Sequence, residues 1–565
     1  MYFRPNIMKN PILRAIRLLA FGAMAVALTP EAMAVPAYPG ALTHIQPDGS
    51  VVTFFRSGDE FHHEIHDAEG RMLAFNDEGW LLPVTEQEAA ALRSREAVKS
   101  RQYLMSGTAF PCEGEPHGLV ILTEFANKSF SMSDPNKFYT RMLNEEGFSD
   151  YKGTGSARDF FIDNSRGRFK PVFDVYGPVK LTYDYAYYGR NDAWDEDMHP
   201  EEMVLEALEL LDPEVDFSKY DTDGDGVIDN VFVFYAGFGE ADYNDPNTVW
   251  PHSFDIFDLN LPKKYVFDGV EPNRYAMTNE IEGTLKRPDG IGTFVHEFSH
   301  VLGLPDLYTT TYTNAFTPGD YSTLDSGPYN NNGLTPPAYS IFERHSLGWV
   351  EPREIKESGD YSLRPITDSD EAFIIKTEKD NEFYLLENRQ QSGWDTYIPG
   401  HGMIVWHVDF DQDIWDRNVV NTQRNHQYVD LVEADGKATS YTRNADPFPG
   451  HKNITQFTAE TSPALKSWAG RPLGVSLTEI TEQDGVIRFN ATFAPSGVTE
   501  IGASSMATHG ITAADGLLTN DGEAAAEIYD LSGRHIGRVA PGAGLQLQRG
   551  VYIVNVADST LKIRL

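Results

Sequence analysis

Apolar positions change rhythm along the 565-residue chain, and the changes mark out segments. From residue 35 to about 101, short alternating runs at 50–55 and 60–64, separated by Asp-Gly and Glu-Gly turns, predict strands. Residues 86–101, rich in Ala, Glu and Arg, predict a helix, and the Gly and Pro of 106–116 mark a linker. The uninterrupted apolar runs at 118–122 and 231–237 predict strands buried on both faces. Helices expected at 135–143, 157–164 and about 291–302, with strand-like text at 172–181, complete an alternation typical of an α/β core. From residue 359 the text turns to strands, at 361–363, 372–376, 382–387 and 402–408, until about 493. A Ser-, Gly-, Ala- and Thr-rich stretch at 494–520 reads as a linker, followed by short strands up to residue 565.

The fold class expected is therefore multidomain, α/β and α+β. Residues 35–116 form a leading region, 117–358 a mixed domain and 359–493 an all-β, sandwich-like module. The linker 494–520 then joins a small β-sandwich at 521–565.

Charge narrows the function. The chain carries 84 acidic and 46 basic residues, for a formal charge of −38, whereas a nucleic-acid binder needs a cationic face. Nucleic acid is not an expected partner; hard cations such as calcium are. The single cysteine, Cys112, excludes intramolecular disulfides and Cys-based zinc sites. At the start, Lys9, Arg14 and Arg17 precede an apolar run at 18–28, and Ala32-Met33-Ala34 forms a small-x-small cleavage site. Residues 1–34 read as a secretory signal peptide cut after Ala34, implying export to the periplasm and a secreted or surface-associated product. The run is shorter than the roughly 20 residues that span a bilayer, so no transmembrane segment is expected in the mature form.

The chemistry is concentrated at His296-Glu297-Phe298-Ser299-His300, followed by Gly303 and Asp306. Histidines at i and i+4 share one helical face, so both imidazoles can hold one zinc ion. Glu297 sits beside the first of them and can take the proton of a water whose pKa the zinc lowers. It can then pass that proton to a leaving amine. Gly303 permits a sharp reversal that brings Asp306 back as a third, oxygen ligand, leaving a fourth position open for water.

Downstream lies Gly319-Asp320-Tyr321-Ser322-Thr323-Leu324-Asp325-Ser326-Gly327, then Asn330-Asn331-Asn332-Gly333-Leu334-Thr335-Pro336-Pro337. The extended histidine motif with this turn resembles the metzincins, specifically the immune inhibitor A-like peptidases of family M6. The resemblance runs from about 118 to 493 and includes Trp250-Pro251-His252, Leu386-Glu387-Asn388-Arg389-Gln390 and Asp446-Pro447-Phe448-Pro449-Gly450. It implies a zinc endopeptidase acting on proteins or peptides, with a twisted sheet and an active-site helix. In that family the turn carries methionine beneath the zinc; here Leu324 conserves the apolar floor. By the same analogy, residues 275–280 are expected to be the edge strand along which substrate lies. Tyr329 and His252 carry donors suited to a transition-state stabiliser, though each also reads as structural.

Asp221, Asp223, Asp225 and Asp229 stand at positions 1, 3, 5 and 9 of an EF-hand-like loop, with Gly226 at 6 and the Val227 carbonyl at 7. Phe232 replaces the usual Glu at position 12, so the likeness is confined to the loop, where a structural calcium ion is expected. Residues 35–116 read as a pro-region of a zymogen, and Cys112 invites comparison with a cysteine switch, against the plainer reading of a linker cysteine. The tail, with Ile528-Tyr529-Asp530-Leu531-Ser532-Gly533-Arg534 and Gly550-Val551-Tyr552-Ile553-Val554, resembles sorting domains of the type IX secretion system of Bacteroidetes, which implies that machinery as a partner. The rival to the peptidase is a non-catalytic, metal-containing surface adhesin or binding protein.

Overall fold

The computed structural model describes residues 33–34, 36–59, 63–76, 79–85, 87–89, 110–192, 196–243, 245–259, 261, 263–310, 315–493, 510–514, 516–530, 534–548, 550–556 and 559–564. The signal-peptide expectation at 1–34 lies almost wholly outside them, as does most of the helix expected at 86–101.

The central sheet is built from β1 (His117–Glu124), β2 (Val172–Lys180), β3 (Val231–Phe238), β4 (His252–Asp255) and β5 (Arg274–Ile281). Its order is β4-β5-β3-β1-β2, and Met33–Ala34 adds a short strand outside β4. β2, β1, β3 and β5 run parallel, with Val231 level with both Leu119 and Tyr275. β4 is antiparallel to β5. Inner parallel strands are covered on both faces, and that accounts for the unbroken apolar text of β1 and β3.

Helices α1 (Pro135–Asn144), α2 (Ala157–Ser165) and α4 (Gly292–Val301) share one cluster with Val120, Leu122, Phe232 and Phe234. α3 (Pro200–Leu211) covers the opposite face through Met203, Val204, Ala207 and Leu208. α1 starts where the Asp134 carboxylate accepts from the Lys137 amide, and α2 starts in a capping box between Ser156 and Asp159.

The strands expected at 372–376, 382–387 and 402–408 are present, but they do not form a separate core. β6 (Arg353–Glu354), β7 (Phe373–Lys376), β8 (Glu382–Arg389), β9 (Gly402–Asp409) and β10 (Val429–Leu431) make a five-stranded sheet. Leu385, Ile404, Trp406 and Val408 from it lie in the same buried cluster as Phe160, Phe298, Leu324 and Trp349. The described residues up to 355, with 362–455 and 481–488, accordingly form one compact unit.

In the leading region, Leu42–Ile45, Val51–Gly58, His63–His66, Met72–Phe75 and Leu81–Pro83 form an antiparallel sheet over Phe54, Leu73 and Leu81. The second unit holds the C-terminal strands, in two sheets around Ile511, Leu518, Ile528 and Val554. Strands Ile511–Ala514 and Leu517–Asn520 belong to it, so part of the stretch expected to be linker is sandwich. Among the described residues no helix is long and apolar enough to cross a membrane.

One expectation is corrected here. Residues 275–280 are not an edge strand: β5 is enclosed between β3 and β4. Beyond it lies β4, a strand of only four residues whose polar text conceals it, itself paired with Met33–Ala34.

Candidate active site and metal centre

α4 is buried along its whole length. Phe294 and Phe298 face the sheet, each with its ring centroid 5.0–5.2 Å from that of Phe173 and edge-on to it. The helix enters in contact with the chain at Pro328: a Cβ on Gly292 would lie 2.0 Å from the Pro328 carbonyl oxygen, so only glycine fits. It ends at Gly303, whose φ of +90° is a left-handed conformation. The Gly303 amide donates to the His300 carbonyl and the Leu304 amide to the Ser299 carbonyl, a Schellman ending.

That reversal orients the candidate metal-binding side chains. His300 donates from Nδ1 to the Leu304 carbonyl at 2.8 Å, and His296 donates from Nδ1 to the Thr323 carbonyl at 2.8 Å. With each Nδ1 protonated, each Nε2 presents a lone pair. The two Nε2 atoms lie 3.2 Å apart, and Asp306 Oδ1 is 3.3 Å from both. Three acceptors facing one another in a wholly buried space repel unless a proton or a metal ion lies between them. Ligands about 2.0–2.1 Å from a tetrahedral zinc are about 3.3 Å apart, so this triangle fits that ion. Burial alone opposes charge at His296 and Asp306. The facing histidines outweigh it and hold the Asp306 carboxyl well below its ordinary value, while Asp306 and Glu297 push His296 up to about 9.

Glu297 is fully buried, with a carboxylate oxygen within 4.8 Å of a nitrogen of each histidine. Leu324, also fully buried, accepts the Leu307 amide at its carbonyl at 2.7 Å, joining the turn to the segment that carries Asp306. The Tyr329 hydroxyl donates to the Pro36 carbonyl at 2.6 Å. His252 bridges the Trp250 carbonyl and the Tyr275 hydroxyl at 2.7 and 3.0 Å.

Two groups of residues escaped the sequence reading. Asn418 accepts the Asp306 amide at Oδ1 and donates from Nδ2 to Asp306 Oδ2, both at 2.7 Å. Arg389, fully buried, donates to both oxygens of Asp395, to Ala338 and Tyr321 carbonyls, and faces Glu387. The Leu386–Gln390 text signalled this network without revealing its target.

In the loop at 221–229, Asp221, Asp223 and Asp225 each bring an oxygen within 4.8 Å of the others. The amides of Gly224, Asp225 and Gly226 donate to Asp221 and fold the loop around it. Asp229 turns to the Thr222 hydroxyl and amide instead, and Val227 opens a two-residue strand paired with Glu271–Pro272. The oxygen set suits a hard cation.

Cys112 packs at Leu347 and Trp349. Its thiol faces the Leu347 carbonyl at 3.8 Å, its carbonyl accepts the Trp349 indole N–H, and burial raises its pKa. A neutral thiol in this place gives the cysteine-switch comparison no support; the half-buried packing of Cys112 fits the plainer alternative.

The stretch around the triangle is similar in sequence to known peptidases. Residues 121–344 match the family model for the immune inhibitor A peptidase M6 catalytic domain. The M6-like stretch thus contains α4, all three triangle residues, Glu297 and the Leu324 turn. The chain is also 27% identical over 270 residues to the pre-pro-metalloprotease PrtV of Vibrio cholerae serotype O1, covering 42% of this chain and 29% of that protein. Against immune inhibitor A of Bacillus thuringiensis subsp. alesti it is 25% identical over 264 residues, covering 39% and 38%. The chain spans about a third of the length of the curated relatives it matches. The M6 family implies a catalytic metal, usually zinc.

Proposed function

We propose that this chain is a secreted zinc endopeptidase of the metzincin type, made as a zymogen. The observation that carries the reading is the buried triangle of His296 Nε2, His300 Nε2 and Asp306 Oδ1, with 3.2–3.3 Å edges. Zinc held there would supply Lewis acidity, acidifying a water and polarising the scissile carbonyl. Glu297 accepts the proton of the attacking water at its carboxylate and delivers it to the departing amine. Thr323 and Leu304, through their carbonyls, fix the tautomers of the two histidines, and Leu324 closes the floor.

The zymogen reading is supported by how the leading region sits on the M6-like stretch. Arg56 donates to the Glu240 carbonyl at 2.7 Å, and His63 stacks on Trp250. Pro36 engages Tyr329, so this phenol is unavailable to a substrate until the segment leaves. Calcium in the 221–229 loop would stabilise the fold. The C-terminal sandwich, which resembles type IX sorting domains, would direct export across the outer membrane.

The test is hydrolysis of casein or gelatin by protein starting near Cys112, beside Glu297→Gln and a chelated control. Cleavage by the parent alone, abolished by chelation and restored by zinc, is the expected outcome. If a folded, zinc-loaded parent cleaves neither these proteins nor a peptide library, the endopeptidase reading is lost and the adhesin takes its place.

A further inference from the structure

The leading region covers a small pocket beside α4. The Tyr38 amide donates to the Ala241 carbonyl at 3.2 Å, and the Tyr38 ring meets the Tyr329 ring edge-on, with centroids 5.3 Å apart. Both tyrosines line the pocket, together with Asp242, Glu282, Asp289 and Thr293. The Tyr38 ring folds back over Gly40, where an added Cβ would lie 2.5 Å from the phenol oxygen, so only glycine fits there.

Three acids share this space, and two of them are engaged. Glu282 accepts the Thr284 amide at 2.8 Å and the Leu285 amide. Asp289 accepts the Gly290 amide at 2.8 Å, where the chain enters α4. Asp242 is different. It is only 7% exposed; its Oδ2 accepts the Gly283 amide at 2.7 Å, and its buried Oδ1 has no hydrogen-bond partner. Tyr38 thus covers Asp242 without satisfying it. Arg287, whose charge reaches Asp289, donates to the Asn332 carbonyl at 3.2 Å and lies over the Tyr151 ring. Burial first, then the charge of Asp289, raises the Asp242 carboxyl well above the ordinary carboxylate range. A buried carboxylate oxygen without a donor is costly, and a donor that itself carries positive charge relieves that cost best.

The pocket adjoins the proposed catalytic groups. Thr293 and Glu297 stand four residues apart on one face of α4, about one turn or 5.4 Å along its axis. Tyr329 lines the pocket and lies within reach of the charges of Asp242, Asp289 and Glu297. Its hydroxyl holds the carbonyl of Pro36, two residues before Tyr38.

We propose that this pocket is a specificity site for a lysine or arginine side chain of the substrate, that Asp242 Oδ1 accepts from its cationic head, and that Tyr38 covers the site in the zymogen. The inference rests on the endopeptidase reading and names a substrate class for it. A basic side chain suits the place because its apolar stem can lie on the Tyr329 ring where Tyr38 lay, while its head reaches the acid. An acidic side chain would add a like charge, and an apolar one would leave Oδ1 without a donor. A substrate carbonyl gripped by Tyr329 as Pro36 is would set its basic residue two positions away, as Tyr38 is.

The experiment takes the zinc-loaded full chain, removes the leading region by limited proteolysis, digests casein and maps the cuts by mass spectrometry. Peptides that differ only in arginine against its neutral isostere citrulline are then compared at the mapped position. A basic residue is expected at one fixed position beside the bond. The kcat/KM for arginine should exceed that for citrulline by about 10- to 100-fold, and Asp242→Asn should bring the ratio near unity. Cleavage that ignores the charge, or a ratio that Asp242→Asn leaves unchanged, would overturn the pocket and leave the endopeptidase standing. If nothing is cut, the endopeptidase fails and binding decides the pocket; binding decides it too if Asp242→Asn does not fold. In the full chain carrying Glu297→Gln, calorimetry should show Nα-acetylarginine amide bound once Tyr38→Ala removes the cover, and the citrulline counterpart not bound. Equal behaviour of the two amides there would overturn the site.

Discussion

Asp306 is held on two sides by Asn418, which accepts its amide and donates to its Oδ2, leaving Oδ1 for the histidines. Asn418 itself has a φ of +51° and is almost wholly buried, a left-handed conformation that asparagine tolerates better than most residues. Such a partner sets both the direction and the basicity of a ligand. Asn418→Ala should therefore weaken zinc binding by about 10- to 100-fold, measured by competition with a chromophoric chelator. Equal affinity in the two proteins would mean that Asp306 orients itself. The contrast with His296 and His300 explains what the sequence could disclose. Those two declare themselves because a helix turns their four-residue spacing into proximity. Asn418 is 112 residues from Asp306 and carries no local signal; only tertiary folding brings it there.

Among elements, α4 was legible because its histidine spacing, its apolar residues and its terminal glycine are all local features. β4 was not. Its neighbours in the sheet come from distant segments, so its four residues say little about where it lies. Its attachment to β5 depends on His252, whose Nδ1–H donates to the Trp250 carbonyl while Nε2 accepts from the Tyr275 hydroxyl. Burial lowers the pKa of this neutral imidazole to about 4, only partly opposed by the bond to Trp250. The unfolded chain, with an ordinary histidine pKa of about 6.5, binds the proton first as pH falls. Stability is thus fully present above about pH 6.5 and is lost towards pH 4, by about 3 kcal/mol in all from this residue. Urea unfolding at pH 7 and pH 5 should show the drop shrink by about 2 kcal/mol in His252→Gln. An identical drop in parent and variant would assign the acid sensitivity to other groups.

At the scale of the whole molecule, the boundary suggested by the change to strand text at residue 359 is not a boundary of the core. Strand periodicity was read correctly for β7, β8 and β9, but periodicity reports which face is apolar and is silent about what covers it. The apolar face of this sheet is covered by the helices and turn of the M6-like stretch: Leu385, Ile404, Trp406 and Val408 are fully buried beside Phe160, Leu324 and Trp349. Polar contacts run the same way. Asp395 accepts the Ala338 amide at 2.9 Å, Glu387 accepts the Ile341 amide at 2.6 Å, and Arg389 bridges both acids to the Tyr321 and Ala338 carbonyls. A chain covering 35–358 would lose all of them. Burial of those four side chains alone is worth on the order of 10 kcal/mol, comparable with the whole stability of an ordinary domain. It should bind a hydrophobic dye and unfold without a cooperative transition, whereas residues 35–493 should unfold cooperatively. Arg389→Leu in the longer chain makes the same case at one position: it leaves two buried acids uncompensated and should cost about 3–5 kcal/mol in urea unfolding. A cooperative transition from 35–358 alone would show that the sheet is an appendage and that the catalytic fold ends where the strand text begins.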